Sequence, residues 1–468
     1  MIKAKFLTGL ACLLALPAAM HAQSVRVFLT SRDTTDRLTE QAPLAMQSNP
    51  SGEGTTVTVS PAVQCQTIEG FGGAFTESAA TVLNKMSPAN RTQIIKDYFD
   101  PAQGIGYSVC RTHINSCDFS LGNYSYDDTP GDTALKDFSI AHDQQALIPL
   151  IKDAMATSKT PLKIFASPWS PPAWMKTNNN MNNGGRLKQE YAQAWADYFV
   201  RYVQEYKKQG IDIWGLTVQN EPAASQKWDS CQYSATEERD FVRDHLGPTL
   251  AKAGMGNIKL MVWDHNYDAM LQFAAPSYDD PETSKYFWGT AVHWYSKEQF
   301  SNMSQQHKQW PDKAVLFTEG CQEGGPHNGD WKTAERYGRN IMGNLNNWSV
   351  GFTDWNIVLD QTGGPNHVGN LCSAPILADT VNDKIMLQPS YYYIGQFSRF
   401  IHPGAKILQC ETNRPKFLAT AAVNPTGETV VVVLNLDETK IDYHLNTGGA
   451  GLAASIPAHS LATYVISK

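Results

Sequence analysis

Positive charge is scarce in this chain, and charge of either sign is modest. Charged residues make up 18 %, with 38 Lys and Arg against 45 Asp and Glu, a net charge of −7 over 468 residues. Nucleic acids and anionic membranes need a basic footprint, so the balance argues against both and favours a neutral ligand. Long apolar runs are also missing: beyond the first residues nothing approaches the ~18 uninterrupted apolar residues of a membrane span. No CxxC pair occurs among the scattered cysteines, which argues against a zinc site. Internal repeats, low-complexity tracts and flexible linkers are absent. So is a glycine-rich phosphate turn, because the GFGG at 70–73 has the wrong spacing.

What is present begins with a leader. "MIKAKFLTGLACLLALPAAMHAQ" places Lys3 and Lys5 before a short apolar core, Phe6 to Ala19, with a cut expected after Ala22. Export to a secreted or periplasmic location follows, and loss of the two lysines leaves a net charge of −9. Cys12 departs with the leader. Cys65, Cys110, Cys117, Cys231, Cys321, Cys372 and Cys410 remain, an odd number in a compartment that permits disulfides. Their spacing specifies no pairing.

A hydrophobic content of 42 % supports one large domain and a smaller one. Its repeating unit is clearest at 187–222. Tyr191, Trp195, Tyr198, Phe199, Tyr202 and Tyr206 recur at helical spacing, Gly210 is a natural stop, and "IDIWGLTV" then reads as a buried strand. Seven similar runs occur at 68–75, 106–114, 162–167, 258–264, 289–295, 314–320 and 350–358. Eight such strands, mostly separated by helix-length segments, fit a parallel (β/α)8 TIM barrel better than an open doubly wound sheet. The two ends instead alternate β-branched and polar residues, as in "ETVVVVLNLDE" and "LATYVIS". We expect an all-β sandwich built from both termini. The divisions are 1–22 for the leader, 23–60 and 401–468 for the sandwich, and 61–400 for the barrel.

Barrel chemistry sits at the C-terminal ends of the strands. There Glu221 closes "GLTVQNEP" and Glu319 closes "AVLFTE". An isolated strand-end glutamate is usually a solvated charge. These two follow buried runs and have polar and aromatic company that a strand end does not need. Glycoside hydrolysis uses such a pair, one carboxyl protonated for the leaving oxygen and one ionised. Trp169, Trp174, Trp294, Tyr295 and Trp355 could offer ring faces to a sugar, and Asp118 and Asn220 could bind its hydroxyls.

Seven ordered segments, "GFGGAFTESAA", "RTHINSCDFS", "ASPWSPPAWMKTN", "TVQNEP", "AVHWY", "LFTEGC" and "DWNIVLDQTGGPNHVGN", resemble glycoside hydrolase family 30 over about residues 65–400. This family contains glucosylceramidases and endo-β-1,6-glucanases. The resemblance implies a catalytic barrel with an attached β-domain, acting on β-glucosides with retention. It implies Glu221 as acid/base and Glu319 as nucleophile, with Asp118, Trp169, Asn220 and Trp355 holding the glucose. Trp294 and Tyr295 are counted with that sugar-binding set. Asn370 falls on a loop position near the sugar, and Arg111 and His293 on strand-end positions supporting the nucleophile. Leu371 and His367 depart from the glucosylceramidase pattern, which has phenylalanine and tryptophan there, and both lie towards the aglycone.

Other polar residues read as structural. Glu77 is expected to cap a helix or brace the site, Asp354 to point away from Trp355, and His113 to be packed and satisfied. Glu323 and His327 belong to a glycine-rich loop that lines the groove or is merely solvated. No metal or other cofactor is called for. The expected function is a retaining β-glucosidase of the glucosylceramidase type acting on a β-glucoside or β-glucan. The rivals are an endo-β-1,6-glucanase with the same machinery and a sugar-binding protein without catalysis.

Overall fold

The computed structural model describes residues 23–48 and 54–468, so the expected leader lies outside the described residues. Eight parallel strands close into a barrel in sequence order: Gly70–Phe75, Val109–Ile114, Lys163–Pro168, Ile213–Thr217, Lys259–Asn266, Phe287–His293, Ala314–Glu319 and Ser349–Asn356. Each of the eight expected runs supplies one strand. The helix Ala192–Lys208 buries Trp195, Tyr198, Phe199, Tyr202 and Tyr206, and Gly210 turns the chain at φ +81° into the fourth strand. Closure is tight at the first strand, where a Cβ on Gly72 would meet the Val109 carbonyl at 1.7 Å.

Inside the barrel, Val109, Phe165, Met261, Ala291, Leu316 and Val350 form a packed layer. Side chains alternate along a strand, so the residues two further on point the same way, one layer higher. From the second, third, sixth and seventh strands these are Arg111, Ser167, His293 and Thr318, all wholly buried. The floor is apolar and the layer above it polar.

Of the other described strands, Val358–Asp360, Ile376–Asp379 and Lys384–Leu387 form a small three-stranded sheet, and the rest join by hydrogen bonds into an eleven-stranded sheet. Ser24–Ser31 pairs antiparallel with Ser460–Ile466, from Val25 opposite Ile466 to Ser31 opposite Ser460. Thr55–Thr67 pairs antiparallel with Lys406–Thr412 and parallel with Ile441–Thr447. Both termini therefore build one β-sandwich, as expected. Along Thr429–Asn435, Val431 and Val433 enter the sandwich core, while Val430, Val432 and Leu434 join the barrel's. All seven cysteines after the expected leader are free.

Candidate active site

Arg111 is the hub of the polar layer. Its Nη1 donates to Glu319 Oε2 at 2.5 Å, Nη2 to Asp264 Oδ2 at 2.7 Å and Asn220 Oδ1 at 2.9 Å, and Nε to Ser167 Oγ at 3.1 Å. Asp264 also accepts from Thr217 and Thr318, both at 2.7 Å, and lies 2.9 Å from His293 Nε2. His293 Nδ1 lies 3.4 Å from Glu221 Oε1, and the Tyr295 hydroxyl donates to Glu319 Oε1 at 2.9 Å. The ends of the second and sixth strands thus hold Glu319 directly. Glu221 lies beyond its own strand at φ 48°, with its N–H on the Asp264 carbonyl at 3.0 Å. The ligand atoms of Glu221, His293 and Glu319 all lie within 4.8 Å of one another.

These groups titrate as a cluster. Burial would lower His293, but the Glu319 and Asp264 charges and the hydrogen bond to Asp264 push it up to about 9. Burial would raise Asp264, yet Arg111 and His293 hold it far below the carboxylate range. Two cations, Arg111 and His293, therefore face the Asp264 anion and the glutamate pair. Glu319 is pushed up by burial and by Glu221, against His293 and Arg111. Burial raises Glu221 too, but the His293 hydrogen bond and the His265 charge outweigh it and draw the group down. These effects favour the proton on Glu319, whereas the donors from Arg111 and Tyr295 favour ionised Glu319 and the proton on Glu221. One proton shared by two coupled sites belongs to the pair, and the singly protonated pair contains both arrangements. Charged His293 is engaged by carboxylates through both ring nitrogens, so the trio works as a proton network rather than a cation site.

The cleft above the pair is lined by Asp118, Trp169, Asn220, Tyr295, Trp355 and Asn370, all expected at the site. Trp169 and Trp355 stack at 5.2 Å, and the Arg111 guanidinium lies 4.7 Å from the Trp169 ring centroid. Asn370 and Asn366 donate to Asp118 Oδ2 at 3.1 and 3.2 Å. Burial nevertheless pushes Asp118 up to about 7.

Trp294 needs correction. It does not line the cleft: its indole N–H donates to the Cys321 carbonyl at 3.1 Å, and its ring packs on Tyr337, Phe317 and Phe352. The alternation that turns His293 and Tyr295 inward sends the residue between them outward. The capping role considered for Glu77 belongs to Thr76, whose hydroxyl accepts from Ala79 N at 3.1 Å. Glu77 instead accepts from Leu121 N at 3.0 Å and contacts His142 at 2.7 Å, bracing the loop that carries Asp118. Asp354 faces outward and accepts from the Tyr337 hydroxyl, and His113 is packed and satisfied. Glu323 lines the cleft; His327 does not. Asp264, Asn366, Gln226, Trp228, His265 and Asn266 were not anticipated. For Trp228 a signal existed, an aromatic residue shortly after "NEP".

Comparison with known proteins matches the glycosyl hydrolase family 30 TIM-barrel domain at residues 68–401 and the family's beta sandwich domain at 404–464. The mouse lysosomal acid glucosylceramidase is 34 % identical over 90 % of this chain and 85 % of its own. An endo-1,6-beta-D-glucanase of Neurospora crassa is 32 % identical over 78 % of each chain. The crystal structure of SrfJ from Salmonella typhimurium superposes with a TM-score of 0.91 at 37 % identity, covering 95 % of this chain and 100 % of that one. With its eight-stranded barrel, its two-ended sandwich and its carboxylate pair, the chain belongs to glycosyl hydrolase family 30.

Proposed function

We propose that the chain is an exported, retaining β-glucosidase with Glu319 as nucleophile and Glu221 as acid/base. Ionised Glu319 attacks the anomeric carbon and the C1–O bond breaks as Glu221 gives its proton to the leaving oxygen. Water, deprotonated by Glu221, then frees glucose from the glucosyl-enzyme. The reading rests above all on the separation of the pair. Carboxyl groups ~5–5.5 Å apart suit direct attack, whereas inversion needs room for a water and ~6.5–9.5 Å. Here the closest oxygens come within 4.8 Å. Arg111 and Tyr295 orient Glu319, and the stacked Trp169 and Trp355 with Asp118 and Asn370 supply a wall and polar partners for one glucose.

The mouse relative is named a glucosylceramidase and the Neurospora relative an endo-1,6-beta-D-glucanase. The glucosylceramidase-type reading takes the glucose half of the site as decisive. The second reading, action on a β-1,6-glucan, is favoured by the polar rim of Gln226, His265, Asn266 and Glu323. Proton NMR of the first product tests the mechanism common to both. β-Glucose should appear first and mutarotate later; α-glucose first would overturn retention.

A further inference from the structure

Two of the chain's cysteines meet in the catalytic cleft. Cys321 and Cys372 both line it, both are buried, and both belong to the apolar cluster of Trp169 and Trp355. Cys321 lies two residues past Glu319, and Cys372 two residues past Asn370 on another loop.

Backbone pairing sets their approach. Glu323 and Cys372 face each other in an antiparallel bridge. Beside it the Ser373 N–H donates to the Gln322 carbonyl at 2.8 Å and the Gly324 N–H to the Leu371 carbonyl at 3.1 Å. Opposed residues share a face, and so do residues two apart, which makes Cys321 the diagonal neighbour of Cys372. Their thiols are close enough to share a hydrogen bond.

Cys321 also touches the machinery. Its Sγ lies 3.6 Å from the Tyr295 hydroxyl, which donates to Glu319 Oε1 at 2.9 Å. The phenol has one hydrogen and directs it to Glu319, so at the sulfur contact the Cys321 S–H is the donor. Burial and the Cys372 thiol push Cys321 well above the ordinary thiol range, so it keeps that hydrogen at neutral pH. Thiol, phenol and carboxylate form a chain in which each bond polarises the next.

The same pair is suited to oxidation. Its reduced form gains nothing from a Cys321 thiolate, and a disulfide brings no charge into the apolar cluster. Closing the bond to ~2.05 Å draws the two loops together and removes the S–H from the chain.

We propose that Cys321 and Cys372 form an oxidisable dithiol that governs the nucleophile. Reduced, Cys321 is a positioning residue for Glu319 through Tyr295; joined to Cys372, it no longer donates and turnover falls. The oxidant is an external disulfide, RSSR. Its S–S bond breaks as the Cys321–Cys372 bond forms, and the two electrons and two protons lost by the dithiol leave in two RSH. The effect on turnover rests on the reading of Glu319 as nucleophile; the bond itself does not.

Reduced wild type is treated with oxidised glutathione and examined in two ways. Peptide mapping without reduction should find Cys321 joined to Cys372. On an aryl β-glucoside kcat should fall about tenfold, with KM little changed, and return with dithiothreitol, since a donor to the nucleophile is weakened rather than deleted. Cys372→Ser cannot close the bond, so the same treatment should change its kcat about twofold or less. No linked peptide, or a response of Cys372→Ser equal to that of wild type, would overturn the dithiol. A linked enzyme with undiminished kcat would overturn its hold on Glu319. Reduced wild type inert to every β-glucoside would instead overturn the catalytic reading, and the peptide map would still decide whether the pair oxidises.

Discussion

Glu221 and Glu319 carry the same functional group, and only their neighbours distinguish them. Glu319 receives a guanidinium at 2.5 Å and a phenol at 2.9 Å, while Glu221 has His293 at 3.4 Å. If Glu221 is the proton donor, its loss matters in proportion to how badly the leaving group needs a proton. Glu221→Gln should lose about 100-fold or more in kcat/KM on a methyl or sugar aglycone, within the usual range of acid–base catalysis. On a good leaving group such as fluoride the loss should be much smaller. Equal losses would remove Glu221 from the acid role. Both glutamates were legible because each ends an apolar run at a barrel strand's catalytic end. Trp294 was misread because its run was counted as one aromatic cluster; its alternation with His293 and Tyr295 was the better guide.

At the scale of the element, the fifth barrel strand shows what the sequence concealed. Its apolar run was readable, but strict alternation from Met261 would turn Trp263 inward and Asp264 out. Instead Trp263 and Asp264 both adopt positive φ, 78° and 52°, and the register against the sixth strand slips between Trp263 and His265. This bulge delivers Asp264 to Arg111 and His293. Nothing local to "MVWDHN" specifies it. Its support comes from Glu238, on a different element, whose carboxyl accepts from Trp263 N at 3.2 Å. Burial pushes Glu238 up from 4.5 to about 8, so it is neutral at pH 7. Because its folded pKa is raised, the native state holds a proton that the unfolded chain has lost. Its stabilising contribution is full below about pH 4.5 and is lost as pH rises through about 8. Glu238→Gln keeps the neutral shape, so thermal melts should show it gaining on wild type as pH rises from 5 to 9 in ~1-unit steps. A pH-independent difference would contradict the buried neutral acid. Glu238→Ala should cost about 1–3 kcal/mol by orphaning the Trp263 N–H.

For the whole molecule, the sandwich and the barrel share side chains rather than merely touching. Val430, Val432, Leu434, Leu461 and Val465 belong to the barrel's apolar cluster, and Thr463 and Thr30 hydrogen-bond Gln396 on a barrel helix at 2.7 and 2.9 Å. Calorimetry should therefore record one cooperative transition, since neither part can unfold without exposing the other's core. Two separated transitions would refute that coupling. The two-ended sandwich was legible from the alternation of β-branched residues at both ends. Which strand pairs with which was not, because pairing between Val25 and Ile466 spans almost the entire chain.

The central claim is that Glu319 attacks the sugar directly across a single glucose unit. It is tested most directly by trapping the intermediate with 2-deoxy-2-fluoro-β-glucosyl fluoride, which slows release of the glycosyl-enzyme, and mapping the modified peptide by mass spectrometry. The label should be found on Glu319, with activity lost in proportion to labelling. A label on Glu221, or turnover of the probe with no covalent adduct, would contradict the account.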